Sequence, residues 1–224
     1  MALARVGLAE LATLVSLSIL RPESYTDGML RYAITSGDDA GLCTATVANA
    51  RRWAVEGVEY VQLREKQLGA GELVRLAVRL GEVLHEDGGR TKLLVNGRAD
   101  VAVAAGADGM HLTSRPGELT AEQVRRVFAL AGRGRTFVSA SCHTLEDVRR
   151  AVGGGADLIL FGPAFEKQVA GTVVVAGVGM EALRKACKLA EETPVLAVGG
   201  VTFENAVLCV EAGAAGIAGI RLFG

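Results

Sequence analysis

Short apolar runs without polar alternation recur along the chain, and each follows a glycine. The pattern is clearest in the four segments that begin at Gly57, Gly106, Gly155 and Gly213. Each glycine is suited to end a helix in the left-handed conformation. Each run is as apolar as a strand that is buried on both faces. We therefore predict that the four segments 57–63, 106–112, 155–161 and 213–219 each contain a strand.

Further apolar runs lie between these repeats, and they predict four more strands, at 30–35, 92–96, 136–141 and 194–198. The interval between successive repeats is about twice the ~30 residues of one βα unit in an eight-stranded barrel, so each interval holds two units. Helical patterns alternate with the strands, as at 120–130, 144–152 and 180–191. This order predicts a parallel sheet with right-handed crossovers. Eight units favour a single-domain (β/α)8 TIM barrel of the α/β class over an open sheet.

The two ends of the chain depart from a regular barrel. Leu8, Leu11, Val15 and Ile19 recur at the spacing of one helix face. After the eighth predicted strand the sequence leaves no room for an eighth outer helix. We interpret residues 1–28 as an N-terminal helical extension that fills the place of the missing or shortened last helix, and residues 29–224 as the TIM-barrel domain. The alternative is a frayed extension or one that contacts another subunit.

Composition excludes several classes of partner. The 224 residues are 50% hydrophobic and carry a formal net charge of −1, so no charge excess predicts binding to nucleic acid or to an anionic membrane. No run reaches the roughly 18 apolar residues of a membrane helix. The four cysteines show no zinc-binding spacing, and scattered thiols favour a reducing, cytoplasmic compartment. We expect a cytoplasmic homo-oligomer, either a dimer or a tetramer.

A histidine follows the fifth predicted strand, at the end of the barrel where active sites of this fold lie. His143 precedes Thr144 and Asp147, which form a capping-box-like pattern at a helix start. Imidazole titrates near neutral pH, so we predict an acid–base role for His143; a capping or loop histidine is the alternative. Cys142 is expected to fill space rather than to act as a nucleophile.

Glycines follow the seventh and eighth predicted strands, where barrels of this class often bind phosphate through backbone N–H groups. Tight turns alone would also explain these glycines. The charged run after the second predicted strand is either a phosphate grip or a solvated loop. The predicted phosphate-binding residues are Gly199, Gly200, Gly219, Ile220 and Arg221.

Six segments in this order resemble thiamin phosphate synthase and its sister TenI, namely 62–66, 95–96, 106–112, 141–147, 155–165 and 194–201. The resemblance covers roughly residues 30–222 and implies the same barrel. It also implies a set of substrate-binding positions, which are Gln62, Arg64, Lys66, Asn96, His111, Ser141 and Lys167.

The departures from this family concern the metal ion and the diphosphate. Gly97 occupies the place where the synthase has an aspartate that holds Mg²⁺, and residues 113–116 lack its second metal-binding aspartate. Residues 167–170 replace its Thr-x-Thr-Lys loop. Mg²⁺ requires hard oxygen ligands, and diphosphate without metal is a poor leaving group. We therefore expect no metal site and no cofactor, with Mg²⁺ needed only if the chain is a synthase.

The resemblance leaves three functions open. The leading one is a TenI-like thiazole tautomerase, an isomerase that aromatises a small phosphorylated thiazole ligand, a thiazole carboxylate phosphate, by a metal-independent proton shift. His143 would then shuttle the proton. The second is thiamin phosphate synthase, a transferase that joins a pyrimidine diphosphate to a thiazole phosphate. The third is a non-catalytic homologue that binds a phosphorylated ligand and regulates a partner.

Overall fold

The computed structural model describes residues 28–35, 37, 44–169 and 172–223. The helix predicted within residues 1–28 therefore lies outside the described residues. No helix in the described ranges is long and apolar enough to cross a membrane.

Eight parallel strands close into a barrel, as the sequence predicts. The strands in chain order are β1 (Leu30–Ile34), β2 (Tyr60–Leu63), β3 (Lys92–Asn96), β4 (Gly109–Leu112), β5 (Phe137–Cys142), β6 (Leu158–Phe161), β7 (Lys167–Val169), β8 (Thr172–Val175), β9 (Val195–Val198) and β10 (Gly216–Gly219). All except β7 and β8 belong to the barrel, in the order β1-β10-β9-β6-β5-β4-β3-β2. The first and last strands pair in parallel, Leu30 opposite Gly216, and this pairing closes the barrel.

Helices alternate with the barrel strands. They are α1 (Thr44–Val55), α2 (Ala70–Leu84), α3 (Ala99–Ala104), α4 (Ala121–Leu130), α5 (Leu145–Gly153), α6 (Gly179–Ala190) and α7 (Ala206–Glu211), with a 3-10 turn at Glu86–Gly88. The predicted helices at 120–130, 144–152 and 180–191 correspond to α4, α5 and α6. In the described part of the chain no helix follows β10.

The local signals at the helix ends are confirmed. The Thr144 hydroxyl accepts from the Asp147 backbone N–H at 3.1 Å, and the Asp147 carboxylate accepts from the Thr144 N–H at 2.9 Å, which together form a capping box. The four repeated glycines all have positive φ, between +70° and +99°, where other residues would be strained. Each follows a helix and leads into the next barrel strand.

An antiparallel hairpin, which the sequence pattern does not predict, follows β6. Strands β7 and β8 pair with Lys167 opposite Val175 and a register shift after Lys167. Strands of three and four residues are too short for a periodic pattern to be recognised. Lys167 therefore lies in a strand, not in the irregular loop that the sequence indicates.

The core has two parts. Between the barrel and its outer helices, aliphatic side chains such as Leu80, Val138 and Ile159 are completely buried. Inside the barrel a smaller cluster contains Tyr32 and Leu196 together with other aliphatic residues. Three of the buried polar side chains, Gln62, His111 and Ser139, lie on strands β2, β4 and β5. These three polar residues lie on barrel strands whose carboxyl ends form the rim of the barrel.

Candidate active site

A cavity of about 320 Å³ lies at the carboxyl ends of the barrel strands. Larger hollows of about 600 and 520 Å³ lie elsewhere and are lined by residues that precede or begin barrel strands, the opposite end of the barrel. The 320 Å³ cavity is the candidate active site, because eight residues predicted from the sequence to bind or react with a ligand line it. They are Gln62, Arg64, Lys66, Asn96, His111, Ser141, His143 and Ile220.

His111 is the centre of a buried hydrogen-bond chain. Its Nε2 atom is 2.8 Å from the Ser141 hydroxyl, and its Nδ1 atom is 2.8 Å from the Ser139 hydroxyl. The Tyr32 hydroxyl is 3.0 Å from Ser139 and 3.4 Å from His111 Nδ1. The chain runs from the barrel interior to Ser141, which is half-buried at the cavity. It fixes the rotamer of Ser141 and thus the direction of its hydroxyl.

Burial keeps His111 neutral. Desolvation, followed by the positive charge of Arg64, lowers the pKa of His111 from 6.5 to about 3. A neutral imidazole donates from one nitrogen and accepts at the other. His111 is thus a structural relay between hydroxyl groups at neutral pH and does not carry charge.

Gln62 and Asn96 form a second polar pair at the cavity. The Gln62 Nε2 atom donates to Asn96 Oδ1 at 2.9 Å. Gln62 is 2% exposed, and its Oε1 atom is buried without a hydrogen-bond partner among the described residues. An unsatisfied buried acceptor costs about 1–3 kcal/mol. This pair is therefore suited to a ligand that brings its own donor.

His143 lies at the rim, where α5 begins. Its backbone N–H donates to the Asp147 carboxylate at 3.0 Å. Its Nδ1 atom bonds to the Gly162 carbonyl oxygen, which can only accept, so Nδ1 carries the hydrogen. In the neutral ring this leaves Nε2 as an acceptor. The side chain is exposed, so the structure orients the ring while leaving it in contact with solvent.

Three cations border the cavity on one side. Arg64 and Lys66 follow β2, and Arg115 lies in the loop after β4. None of the three forms an ion pair with a residue in the described ranges, whereas Arg125, Arg150 and other arginines do. The charge of Arg64, then burial, then the charge of Arg115 lower the pKa of Lys66. Such a group of like charges favours an anionic ligand.

The glycines after β9 have a packing role that the sequence does not reveal. A Cβ atom on Gly199 would lie 2.6 Å from the Pro163 Cβ, and one on Gly200 would lie 2.8 Å from the Phe165 Cβ. Both glycines have positive φ. Within the described residues the Gly200 and Ile220 backbone N–H groups have no acceptor. Each is therefore free to donate to a phosphate, as the sequence predicts.

The remaining predicted positions are less directly placed. Gly219 ends β10, while Arg221 is exposed and does not line the cavity. Lys167 is placed only by its backbone in β7. The prediction of a ligand contact for these three residues stays a prediction.

The donor set does not fit a divalent cation. Gly97 offers no side chain, and Asn96 Oδ1 is already bonded to Gln62. The carboxylate nearest to Gly97 belongs to Glu118, which accepts from the Thr113 hydroxyl at 2.6 Å and from the Leu119 N–H at 3.2 Å. The described ranges contain no group of three His, Cys, Asp or Glu side chains that could hold a metal ion.

Sequence reasoning missed Arg115 and Glu118 as members of this region. Residues 113–116 were compared with the family's second metal-binding segment only for the aspartate that they lack, so the charge of Arg115 was passed over. Their positions depend on how the loop folds back, which no local pattern encodes.

Comparison with known proteins bears on these assignments. The sequence profile of the family described as "Thiamine monophosphate synthase" matches residues 31–223. The chain is 35% identical over 172 residues to a thiamine-phosphate synthase of Methanoculleus marisnigri, covering 75% of each chain. It is 34% identical over 191 residues to that of Caldanaerobacter subterraneus, covering 84% of this chain and 83% of the relative. The structure of a thiamine phosphate pyrophosphorylase from Pyrococcus furiosus matches with a TM-score of 0.70 and 26% identity, covering 86% of each chain.

These relatives overturn the leading functional expectation. The names of these relatives, and of the similar structure, are those of thiamine-phosphate synthases or pyrophosphorylases, and none indicates a tautomerase of the TenI type. The prediction of a thiazole tautomerase, and of an isomerase, is wrong. It gave too much weight to the absence of the two metal-binding carboxylates. A family profile that matches nearly the whole barrel, with relatives above 30% identity over three quarters of their length, establishes that this chain belongs to the thiamine monophosphate synthase family.

Proposed function

We propose that the protein is a transferase that joins a pyrimidine diphosphate to a thiazole phosphate and releases inorganic diphosphate. The bond between the pyrimidine methylene carbon and the diphosphate oxygen breaks, and its electron pair leaves with the diphosphate. The thiazole ring nitrogen supplies the pair for the new bond to that carbon. The products are thiamin phosphate and diphosphate, and no proton is lost or gained at the reacting atoms.

One observation carries this proposal. The candidate active site has cations without ion pairs on one side, and on another it has Ile220, whose backbone N–H has no acceptor among the described residues. Two phosphorylated substrates require two such anion-binding places. Arg115 follows β4 and Ile220 follows β10, and both line the cavity; Gly200 follows β9 and does not line it. In the barrel order at least two strands separate β4 from β9 and β10 in either direction. In this proposal each place binds the anion of one substrate, and the reactive ends of the two substrates meet between them.

The polar floor of the cavity supports the same proposal. The amide pair of Gln62 and Asn96 and the hydroxyl of Ser141 offer hydrogen bonds in fixed directions. A nitrogen-rich heteroaromatic ring with an amino group matches an unsatisfied buried acceptor such as Gln62 Oε1. Holding both rings in line for attack contributes to the rate by proximity and orientation.

For His143 the proposed reaction suggests a positioning role beside the acid–base role that the sequence predicts. Because the bond exchange moves no proton, an acid–base residue is not required. We propose that His143 positions the second substrate at the rim through the acceptor Nε2 atom that the Gly162 contact leaves available. The acid–base role that the sequence predicts for His143 stays a prediction, and the kinetics of His143→Asn would test it.

The test is incubation of the purified protein with the pyrimidine diphosphate and thiazole phosphate, followed by chromatographic detection of thiamin phosphate. Product that increases with enzyme concentration, together with an equal amount of diphosphate, is expected. A heat-denatured sample is the control. Binding of both substrates without product would contradict the transferase proposal and favour the non-catalytic homologue.

A further inference from the structure

Arg115 lies in the segment where the family has a metal-binding aspartate and this chain has none. The two carboxylates that would hold a metal ion are absent at Gly97 and at residues 113–116, and the nearby donors do not fit a divalent cation. A reaction that expels diphosphate still has to stabilise the negative charge that develops on the leaving group. The side chains around the cavity should therefore include another source of positive charge.

We infer that the Arg115 guanidinium stabilises the diphosphate leaving group, together with Arg64 and Lys66, at the place where the family uses a metal ion. The inference rests on the proposed function. It names Arg115 as a residue that binds the diphosphate released in that reaction. Arg115 lines the same cavity as Arg64 and Lys66. A guanidinium binds two phosphate oxygens at once through its fork of N–H donors.

The loop that carries Arg115 is held by its own hydrogen bonds. The Arg115 N–H donates to the Thr113 hydroxyl oxygen at 3.4 Å, and the Glu118 N–H donates to the Arg115 carbonyl at 3.3 Å. Glu118 in turn accepts from the Thr113 N–H at 3.3 Å and from its hydroxyl at 2.6 Å. Glu118 therefore acts as a brace for the turn. Its carboxylate is engaged by Thr113, and it makes no ion pair with Arg115.

Arg115 forms no ion pair with any of the described residues, so its charge is available to a ligand. Several other arginines are neutralised by carboxylates, as Arg98 is by Asp100 at 2.6 Å and Arg125 by Asp157 at 2.7 Å. Glu65, between Arg64 and Lys66 in sequence, is buried and accepts instead from Gly37 and Gln67. The proximity of Arg64 and Arg115 lowers the pKa of Lys66, so the three charges repel one another without an anion. A diphosphate relieves this repulsion on binding.

The direct test is calorimetric titration of inorganic diphosphate into the full-length protein in buffer that contains EDTA. The wild type is expected to bind without divalent metal. Arg115→Gln removes one charge and its paired donors, and should weaken binding about ten- to hundredfold. Arg115→Lys keeps the charge but loses the fork, and should fall between the two. Arg126→Gln, an exposed arginine on α4 outside the cavity, is the matched control and should bind as the wild type does.

Each outcome is decisive. Diphosphate binding by the wild type only after Mg²⁺ is added would overturn the inference, as would an unchanged affinity in Arg115→Gln. Thermal unfolding of each variant excludes loss of fold as the cause. If diphosphate binds through Arg115 but no thiamin phosphate forms, the transferase proposal fails while the assignment of Arg115 as an anion ligand stands.

Discussion

The carboxylate of Glu118 lies beside the backbone of Gly97: its Oε2 atom is 3.8 Å from the position that a Cβ atom on Gly97 would occupy. The two residues are 21 positions apart, and the turn after β4 brings them together. A single carboxylate that already accepts hydrogen bonds is a weak cation ligand. A second carboxylate at position 97 would raise the affinity for a cation, because two negative charges would then lie close together.

Gly97→Asp is expected to create a divalent-cation site. Two adjacent carboxylates supply hard oxygen ligands, so affinity for Mn²⁺ should rise by on the order of tenfold or more. The φ of +62° at Gly97 imposes a cost on any side chain, but aspartate tolerates this region better than most residues. Electron paramagnetic resonance of free Mn²⁺ measures the change. Gly97→Asn, which has the same strain and no charge, and Gly97→Asp with Glu118→Gln should both bind weakly. Equal Mn²⁺ binding by the aspartate and asparagine variants would contradict the prediction.

His111 should make the stability of the protein depend on pH. The folded state holds its pKa at about 3, against 6.5 for the ordinary side chain. Below pH 6.5 the unfolded state binds a proton that the folded state does not, so stability falls as the pH falls from 6.5 to 3. The slope from this residue is about 1.4 kcal/mol per pH unit. Urea unfolding of the wild type and of His111→Asn across this range should show a slope smaller by one proton in the variant. Parallel pH profiles would show that His111 is charged in the folded state.

Gly199 is expected to tolerate no side chain. Its φ is +90°, and a Cβ atom would meet the Pro163 Cβ at 2.6 Å. The backbone strain alone costs about 1–3 kcal/mol, and displacement of Pro163 adds to it. Gly199→Ala should therefore lower the free energy of unfolding by at least that amount. Gly134→Ala is the matched control, since nothing lies within 4 Å of its added Cβ. Equal loss of stability in both variants would refute the close-packing argument.

His143→Asn separates a positioning role from a proton-transfer role. In the proposed transferase no proton moves, so kcat should change by less than about tenfold while KM for the thiazole phosphate rises. Loss of an acid–base residue would instead lower turnover by about 10² to 10⁴. Steady-state kinetics at several pH values distinguish the two. The exposed His85, paired with Asp108 at 3.1 Å, supplies the control His85→Asn. A decrease of 10² or more in kcat would contradict the positioning role and support the acid–base role of His143.

Cys142 is expected to be unreactive in the folded protein. It is 1% exposed, and burial raises the pKa of its thiol from 9.0 to about 12. The thiolate fraction at pH 8 is then lower by about 10³ than for an ordinary cysteine, and the thiolate is the reactive form. Iodoacetamide labelling followed by peptide mass spectrometry should modify Cys142 only after denaturation in urea. Rapid labelling of the native protein would contradict this and reopen a nucleophilic role.

Much of the fold could be predicted because its signals are local. The glycine before each repeated strand requires positive φ, and the pair Thr144 and Asp147 caps α5 with contacts three residues apart. The absence of polar alternation in runs such as 158–161 follows from burial of a parallel strand on both faces. The β7–β8 hairpin could not be predicted in this way, since its strands are too short to show a period.

The candidate site was only partly predictable. The carboxyl-end rule for barrels placed Gln62, His111 and His143 around one cavity, because parallel strands all end on the same face. The resemblance to a family then suggested roles, and the missing carboxylates misdirected the choice of reaction. The absence of two metal-binding carboxylates can be read from single positions in the sequence. The reaction depends on all the charges around the cavity, which the sequence does not bring together.

By itself the sequence determined the number, order and direction of the barrel strands, together with the end of the barrel at which function lies, because these follow from periodicity, glycine and capping within a few neighbouring residues. The tertiary structure decided how side chains meet across the barrel. Tyr32 and Ser139 are 107 residues apart and yet share a hydrogen bond, which belongs to the chain that includes the neutral His111. Arg115 can act in anion binding only because the fold brings its loop after β4 beside Arg64 and Lys66, which follow β2. Electric charge and burial act through distance in space, which only the folded chain defines.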